Sequence, residues 1–493
     1  MANYNTAVID IGSNSVRLVI YRIEGRSIWP LFNEKVLAGL GRDLKTTGAL
    51  HPGGLRESLV ALRRFKAILE SYDLQQLHVV ATAAIREALD GPDFVKTVLD
   101  LTGFHIRVLS GPEEAYYAAL GVRCGHLDAK GVVGDLGGSS LELINLDGDE
   151  GGRGVTLPLG PFALGAPRPA EPEKVLAAIR VHLEPLKGRF ANTQFHPVGG
   201  AWRNLALIWM QKQFYPLEVI QQFELPAREV LSISRLIATQ SPSSLEKLPG
   251  VSKKRLENIG YAALVMQGLI EVFEYESLCF SAFGVREGLL FEALDDSLKG
   301  QDPLIAGCAA LGTRLGINDD LGASLSQWAA AFYDSTDNVL IERPDVKLIR
   351  AAAKLSDIGA RLHPDHRADL CCDQVLRAPI PGQNHQERVF LACTIYTRYS
   401  GDAYGKEPVL ISRILGEDKL QQATQLGLLL RLGCDLSAKS AKLLSYAEVR
   451  QSQMQLILSA KSGWDDLLLG EQTRRRARAL AQALKLSLNI VSA

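Results

Sequence analysis

Two segments of the sequence place an aspartate directly before a turn of small polar residues. In the first, an apolar run ends at Asp10, and the turn that follows consists of Gly12, Ser13, Asn14 and Ser15. Backbone N–H groups and short polar side chains in such a turn form a concave site for an anion such as phosphate. The neighbouring carboxylate is a hard oxygen ligand of the kind that Mg²⁺ prefers. Residues 7–21 therefore predict a strand, a phosphate-binding turn and a second strand.

The same order of residue types recurs in the segment 132–144. An apolar run ends there at Asp135, and the turn that follows consists of Gly137, Gly138, Ser139 and Ser140. One copy of this pattern is more often an ordinary hairpin, but two copies indicate an internal duplication with two phosphate-binding turns facing one cleft. Glu142, two residues beyond the second turn, is expected to face that cleft as well. The pattern is typical of the actin and sugar-kinase superfamily.

Four segments in order resemble the signatures of a narrower family, the exopolyphosphatase/guanosine pentaphosphate phosphatases. They are residues 10–18, 81–86, 110–115 and 135–142, and the resemblance extends over roughly residues 5–295. It implies Mg²⁺-dependent hydrolysis of a phosphoanhydride, in which Glu114 is the general base that activates water. The residues alone leave an alternative open, because Glu113 and Glu114 in the first turn of a helix also stabilise the helix dipole.

The candidate site residues fall into three groups. The catalytic candidates are Glu114 and Glu142. The metal ligands are expected to be Asp10, Asp135 and Glu142. The phosphate-binding candidates are Ser13, Asn14, Ser15, Arg17, Arg86, Gly137, Gly138, Ser139, Ser140, Gly200 and Arg286. For the arginines the reason is that a guanidinium binds phosphate with two parallel hydrogen bonds.

Two local features bear on the substrate. Ser139 stands where the resembled family often has a third glycine, so a side chain is added to the second turn. Trp202 follows the glycines at residues 199 and 200, and we expect it to narrow the space in which a nucleoside would bind. That expectation favours a chain of phosphates over a nucleotide.

The composition excludes several classes of protein. The chain has 493 residues, a formal net charge of −1 and 47% hydrophobic residues, values of an ordinary globular protein without a global attraction for nucleic acid. No apolar run is long enough to cross a bilayer, and the first residues do not resemble a secretory signal. Seven scattered cysteines argue against a disulfide framework and structural zinc. We therefore expect a cytoplasmic protein with neither a membrane nor a nucleic acid as partner, and the resemblance implies Mg²⁺ as its cofactor.

The predicted fold class is α/β: a duplicated actin-like (ribonuclease H-like) ATPase fold in two units, followed by an all-α C-terminal domain. The expected boundaries are 1–126, 127–300 and 301–493, because apolar periodicity becomes helical beyond residue 301. The last domain resembles the HD-type domain of longer family members, although Ser356 replaces the leading histidine of its metal-binding pair. Apolar residues in 418–432 suggest a homodimer or, alternatively, packing onto the domain's own core.

These observations favour an exopolyphosphatase that removes terminal orthophosphate from linear inorganic polyphosphate. The alternatives are hydrolysis of guanosine pentaphosphate to the tetraphosphate, and a regulator that binds guanosine tetra- or pentaphosphate with little turnover. A kinase of the same fold is a further alternative, but it needs a nucleotide pocket that the sequence indicates only weakly. Both Glu114 and Glu142 are present, which argues against a pure sensor.

Overall fold

The computed structural model describes residues 3–147, 154–166, 171–246, 256–315, 319–335, 342–452 and 454–491. The chain divides into two compact units, Met1–Gly300 and Gln301–Ala493. None of the described helices combines the length and apolar character needed to cross a membrane.

Three sheets contain the described strands. Sheet A consists of β1 (Asn3–Ile11), β2 (Val16–Glu24), β3 (Ser27–Val36), β4 (Gln76–Ala81) and β5 (Arg107–Val108). Sheet B consists of β6 (Val132–Leu136), β7 (Leu141–Asn145), β8 (Val155–Leu157), β9 (Gln194–Val198), β10 (Phe223–Pro226) and β11 (Ser277–Phe280). Sheet C, in the second unit, consists of β12 (Ala447–Ser452), β13 (Gln455–Ala460) and β14 (Ser487–Val491).

The helices of the first unit are α1 (Leu44–Thr47), α2 (Pro52–Leu69), α3 (Ala83–Glu87), α4 (Gly91–Thr102), α5 (Gly111–Gly125), α6 (Pro161–Leu164), α7 (Pro172–Leu183), α8 (Lys187–Phe190), α9 (Gly200–Lys212), α10 (Ala227–Thr239), α11 (Pro242–Leu245), α12 (Leu256–Phe273), α13 (Val285–Glu292) and α14 (Asp296–Lys299). Those of the second are α15 (Pro303–Arg314), α16 (Asp319–Asp334), α17 (Val346–Leu355), α18 (Arg367–Arg377), α19 (His385–Ser400), α20 (Pro408–Leu410), α21 (Glu417–Ser437), α22 (Ala441–Leu444), α23 (Asp465–Leu468) and α24 (Glu471–Ala483). A 3₁₀ turn (Glu184–Leu186) joins α7 to α8, and a π turn (Ile411–Leu415) follows α20.

The first unit repeats one topology. In sheet A the strand order is β3-β2-β1-β4-β5, with the β1–β2 and β2–β3 pairs antiparallel and the β1–β4 and β4–β5 pairs parallel. Sheet B has the same order, β8-β7-β6-β9-β11, with the same directions, and β10 is an additional antiparallel edge strand. The repeated order confirms the predicted duplicated fold.

The helices and sheets of the first unit form five layers: helices α2 and α4, sheet A, helices α5 and α13, sheet B, and helices α7, α9, α10 and α12. One core lies between sheet A and the helices α2 and α4, and another lies between sheet B and the helices α7, α9, α10 and α12. The helix α5 lies between the two sheets: Tyr117 and Cys124 pack against sheet A, whereas Ala115, Ala118 and Val122 pack against sheet B. Because both faces of each sheet are covered, the central strands are continuous apolar runs such as Ala7–Ile9.

Two helices of the middle layer are in backbone contact. A Cβ on Gly288 of α13 would lie 1.9 Å from the carbonyl oxygen of Tyr117 on α5. A Cβ on Gly121 of α5 would lie 2.2 Å from the carbonyl oxygen of Gly284. Glycine is therefore required at both positions for the helices to approach this closely.

The second unit is mainly helical, with one correction to the sequence prediction. It is not all-α, since β12, β13 and β14 form a small sheet in which β12–β13 is antiparallel and β13–β14 parallel. The long helix α21 packs against α16, α19 and α24, so most of its apolar residues lie in the core of this unit. The face that suggested a homodimer is therefore internal, and the homodimer stays a prediction.

The resemblance to an HD-type metal site depends on Ser356 and Asp357 and on His363, and the structure places these residues in separate environments. Ser356 is buried and donates a hydrogen bond to the carbonyl oxygen of Ala352 (2.9 Å), and the Asp357 carboxylate lies 2.7 Å from the Lys439 ammonium. His363 is mostly exposed. Among the described residues, no three His, Cys, Asp or Glu side chains are grouped so as to hold a metal ion. The relationship to HD-type domains stays a prediction.

We expect Gly288→Ala to destabilise the first unit, since the added methyl group would overlap backbone that cannot move without separating α5 from α13. Overpacking of this kind costs about 1–3 kcal/mol. The matched control is Gly260→Ala in α12, where nothing lies within 4 Å of the added Cβ and alanine favours the helix by about 1 kcal/mol. Urea unfolding measures both, and equal stability of the two variants would contradict the proposed contact.

Candidate active site

The two predicted phosphate-binding turns have the same backbone geometry. In the first, the N–H of Gly12 donates to the carbonyl oxygen of Ser15 (2.9 Å), and in the second the N–H of Gly137 donates to that of Ser140 (3.0 Å). Each turn joins two antiparallel strands. In both halves, therefore, an apolar strand, a short turn containing glycine and an apolar return are closed by the same hydrogen bond.

The turns lie against one another and open into one cleft. A Cβ on Gly138 would lie 2.9 Å from the Cβ of Ser13 and 3.2 Å from the backbone nitrogen of Asn14. The absence of a side chain at Gly138 thus permits the contact. Of the predicted residues, the cleft is lined by Asp10, Ser13, Asn14, Ser15, Arg17, Glu114, Asp135, Gly137, Gly138, Ser140, Gly200 and Arg286.

Three predicted residues do not line the cleft. The Ser139 hydroxyl is buried and faces Gly41: it would lie 2.9 Å from a Cβ at that glycine. Ser139 therefore does not narrow the phosphate-binding cleft. Arg86 donates to the carbonyl oxygen of Leu109 (2.8 Å) and to Glu114 Oε2 (3.2 Å), and thereby orients the glutamate. Glu142 is fully buried behind the cleft surface.

Sequence reasoning missed two cations of the cleft and misplaced one aromatic residue. Lys35 on β3 and Arg203 on α9 both line it. Arg203 lies three residues after Gly200, and this helical spacing was the signal that could have identified it. Trp202 does not narrow the space: its ring is buried against Phe195, and its Nε1 donates to the carbonyl oxygen of Ala262 (3.0 Å).

The adjacent glutamates at the start of α5 have different environments. Glu113 accepts hydrogen bonds from the N–H (2.8 Å) and hydroxyl (2.7 Å) of Ser110 and pairs with Arg107 (2.5 Å). The Ser110 hydrogen bonds lower its pKa to about 2. Glu113 is therefore the capping residue of the helix. Glu114 instead points into the cleft, where only 6% of it is exposed.

Several acidic side chains lie in or just behind the cleft and act on one another. Burial, followed by the charge of Asp135, raises the pKa of Glu114 to about 8. Burial also raises the pKa of Asp135 to about 6, and burial followed by the charge of Glu114 raises the pKa of Glu142 well above its usual range. A buried carboxylate with a raised pKa is a stronger base than an exposed one, as general-base catalysis requires.

Guanidinium groups line the same cleft, and two of them act on its aspartates: Arg286 on Asp10 and Arg203 on Asp135. Arg286 Nη1 lies 3.1 Å from Asp10 Oδ2, Arg17 donates to Asn33 Oδ1 (2.8 Å), and Arg203 donates to the carbonyl oxygen of Ser281 (3.2 Å). Burial, followed by the charge of Arg286, lowers the pKa of Arg17 and lowers that of Arg203 to about 10. In the part of the chain that the structure describes, neither Arg17 nor Arg203 forms an ion pair with a carboxylate. Grouped guanidiniums of this kind suit an anionic ligand.

The carboxylates fit a Mg²⁺ ion that is shared with the substrate. Asp10 and Asp135 both line the cleft, and the buried oxygens of Glu142 have no hydrogen-bond partner of good geometry among the described residues. Within those residues no cluster of three ligating side chains would hold a metal alone. Mg²⁺ is commonly held by one or two carboxylates together with substrate phosphates and water.

Glu114→Gln and Glu113→Gln should change stability in opposite directions. The pKa of Glu114 is raised in the folded state, so its ionisation lowers stability as pH rises from about 4.5 to about 8. The Glu114→Gln variant should therefore melt at a higher temperature than the parent at pH 8, and the difference should disappear near pH 5.

The pKa of Glu113 is lowered in the folded state, so its contribution to stability is present above pH 4.5 and is lost toward pH 2. Glu113→Gln should melt lower from pH 5 to 9. Thermal unfolding of both variants and the parent across this pH range is the measurement. A lower melting temperature for Glu114→Gln at every pH would contradict a raised pKa for Glu114.

Two family models match the chain. One, described as the Ppx/GppA phosphatase family, matches residues 19–297, and the other, described as "Exopolyphosphatase, C-terminal", matches residues 323–490. The Asp10 turn precedes the first matched segment.

Solved structures resemble a little more than half of the chain. The Aquifex aeolicus member of the Ppx/GppA family is 25% identical, with a TM-score of 0.50, over 59% of this chain and 97% of that one. An exopolyphosphatase from Cytophaga hutchinsonii is 20% identical, with a TM-score of 0.54, over 59% of this chain and 98% of that one, and shows likeness of fold. Since the Ppx/GppA model covers more than half of the sequence, the chain belongs to the Ppx/GppA phosphatase family.

Proposed function

We propose that the chain is an exopolyphosphatase that releases terminal orthophosphate from linear inorganic polyphosphate with the help of Mg²⁺. The observation that carries this proposal is the buried Glu114 carboxylate, with a pKa raised to about 8, in a cleft formed by two phosphate-binding turns and several guanidiniums. Hydrolysis of a phosphoanhydride needs phosphate held in place, its charge neutralised, and a water aimed in line at phosphorus. The cleft has residues suited to each requirement.

The residues act in the following roles. Backbone N–H groups and hydroxyls of the two turns bind the oxygens of the terminal phosphate, and Arg17 and Arg286 offset its charge. Glu114 accepts the proton of the attacking water, while Arg86 holds the carboxylate in position through its 3.2 Å contact. The charge of Asp135 helps to maintain the raised pKa of Glu114, and Glu142 is buried behind the cleft surface with its own pKa raised by burial and by the charge of Glu114.

Asp10 and Asp135 are the residues that would hold Mg²⁺, with Glu142 as a further ligand. When bound, the ion neutralises phosphate charge and polarises the phosphorus–oxygen bonds.

Polyphosphate is favoured over guanosine pentaphosphate by two observations. The C-terminal family model carries the exopolyphosphatase description over residues 323–490. The cleft volume is about 200 Å³, less than the roughly 300–1,000 Å³ typical of pockets that enclose a drug-sized molecule. A narrow cleft suits the end of a phosphate chain better than a nucleoside, although Trp202 contributes nothing to this narrowness.

The test is orthophosphate release from long-chain polyphosphate and from guanosine pentaphosphate, measured side by side with and without Mg²⁺. We expect release from polyphosphate to have the higher kcat/KM and to require Mg²⁺. Faster release from guanosine pentaphosphate would favour the alternative substrate, and binding of it without release from either compound would favour a regulator.

Glu114→Gln should lower kcat by about 10²–10⁴-fold, the usual contribution of a general base. Glu113→Gln is the matched control, because it changes the adjacent carboxylate without reaching the cleft, and its kcat should stay close to that of the parent. Equal activity of Glu114→Gln and the parent would remove Glu114 from its role.

A further inference from the structure

The two halves of the first unit differ in charge at equivalent positions. In sheet A, Asp10 lies opposite Arg17, and Arg17 lies opposite Lys35 on the next strand. Directly opposite residues of antiparallel strands point to the same face of a sheet. All three line the cleft. Across the three neighbouring strands, this row of facing residues is therefore an acid followed by two cations.

In sheet B the equivalent row of facing residues consists of two acids followed by a residue with a hydroxyl group. Asp135 lies opposite Glu142, and Glu142 lies opposite Thr156. The repeated backbone therefore carries a carboxylate where sheet A has Arg17, and an uncharged side chain where sheet A has Lys35. Glu114, next to Asp135 and Glu142, adds a third carboxylate.

Lys35 extends the sheet A row toward the second half of the unit. Its Nζ lies 4.0 Å from where a Cβ on Gly200 would be, at the first residue of α9. Arg203, in the first turn of the same helix, also lines the cleft. The two cations thus lie on opposite halves of the unit and border the same space.

The difference in charge between the two rows orients a polyanion. Water is activated at Glu114, so the phosphate under attack must lie there. The remaining phosphates would be repelled by Glu114 and extend toward Lys35, at the far end of the sheet A row, and Arg203, whose charge also acts on Asp135. When the bridging bond breaks, negative charge develops on the leaving oxygen, which fixed cations stabilise.

We propose that Lys35 and Arg203 form a leaving-group subsite, which binds the phosphates adjoining the one that is removed. The inference rests on the proposed function. The water oxygen forms a bond to the terminal phosphorus and its proton passes to Glu114. The bond between that phosphorus and the bridging oxygen breaks, and the electron pair stays on the oxygen of the shortened chain, which Lys35 and Arg203 hold.

Equilibrium binding tests the subsite without turnover. Dissociation constants of orthophosphate and inorganic tripolyphosphate are measured by calorimetry, in the presence of Mg²⁺, for Glu114→Gln and for the same protein with Lys35→Gln, Lys35→Arg or Arg203→Gln added. Lys35 is exposed, so its replacement should not disturb folding. The matched control is Lys66→Gln, an exposed lysine of α2.

We expect Lys35→Gln and Arg203→Gln each to weaken tripolyphosphate binding about tenfold or more, as loss of a charge-assisted hydrogen bond does. Orthophosphate binding should change little, Lys35→Arg should restore most of the affinity, and Lys66→Gln should match its parent. Equal weakening of orthophosphate and tripolyphosphate, or no weakening of either, would overturn the subsite. Failure of the parent chain to release phosphate from polyphosphate would overturn the proposed function instead, since the subsite is decided by tripolyphosphate binding alone.

Discussion

Backbone contact between α5 and α13 is the constraint on which the site depends. Because Gly121 and Gly288 have no side chains, the two helices lie close enough together to fill the narrow layer between the sheets. Glu114 is at the start of one helix and Arg286 at the start of the other, so the base and a phosphate-binding cation reach the same cleft. Glu287 of α13 strengthens this arrangement by accepting hydrogen bonds from Tyr21 (2.7 Å) on β2 and from the N–H of Gly284 (2.9 Å). The contact thus connects elements of both halves.

The cost of this arrangement is concentrated in the acids. Glu114 and Glu142 are both buried: burial and then the charge of Asp135 raise the pKa of Glu114, and burial and then the charge of Glu114 raise the pKa of Glu142. Burying carboxylates without full compensation lowers stability. Such strain is common where chemistry is done, because a base must retain affinity for a proton. Glu113, the capping residue that precedes Glu114, has the opposite pKa shift, because hydrogen bonds from Ser110 and Arg107 stabilise its ionised form.

The sequence was sufficient for the duplicated fold because the signal was strong and local: apolar runs on both sides of a glycine-containing turn, present twice. It was insufficient for Lys35, whose position depends on the register between β2 and β3, which no local pattern specifies. Trp202 was misjudged because a large apolar side chain in the first turn of a helix can face either a cleft or a core, and the docking of α9 decides. Sheet C was missed because β12, β13 and β14 are only five or six residues long, although β12 alternates buried and exposed residues along its whole length. The local sequence pattern thus predicted the type of most elements. The direction in which an individual side chain points depends on tertiary packing, which a local pattern does not contain.

The seven cysteines are all free and buried, and they occur in both units. Burial raises the pKa of Cys124 on α5 and of Cys279 on β11 to about 12, so at neutral pH almost none of either thiol is present as the reactive thiolate. Alkylating reagents and peroxides therefore gain access only when the surrounding layers separate. Thiol labelling in the native protein consequently reports local opening of each unit, and the chain carries its own probes for it without any engineered label.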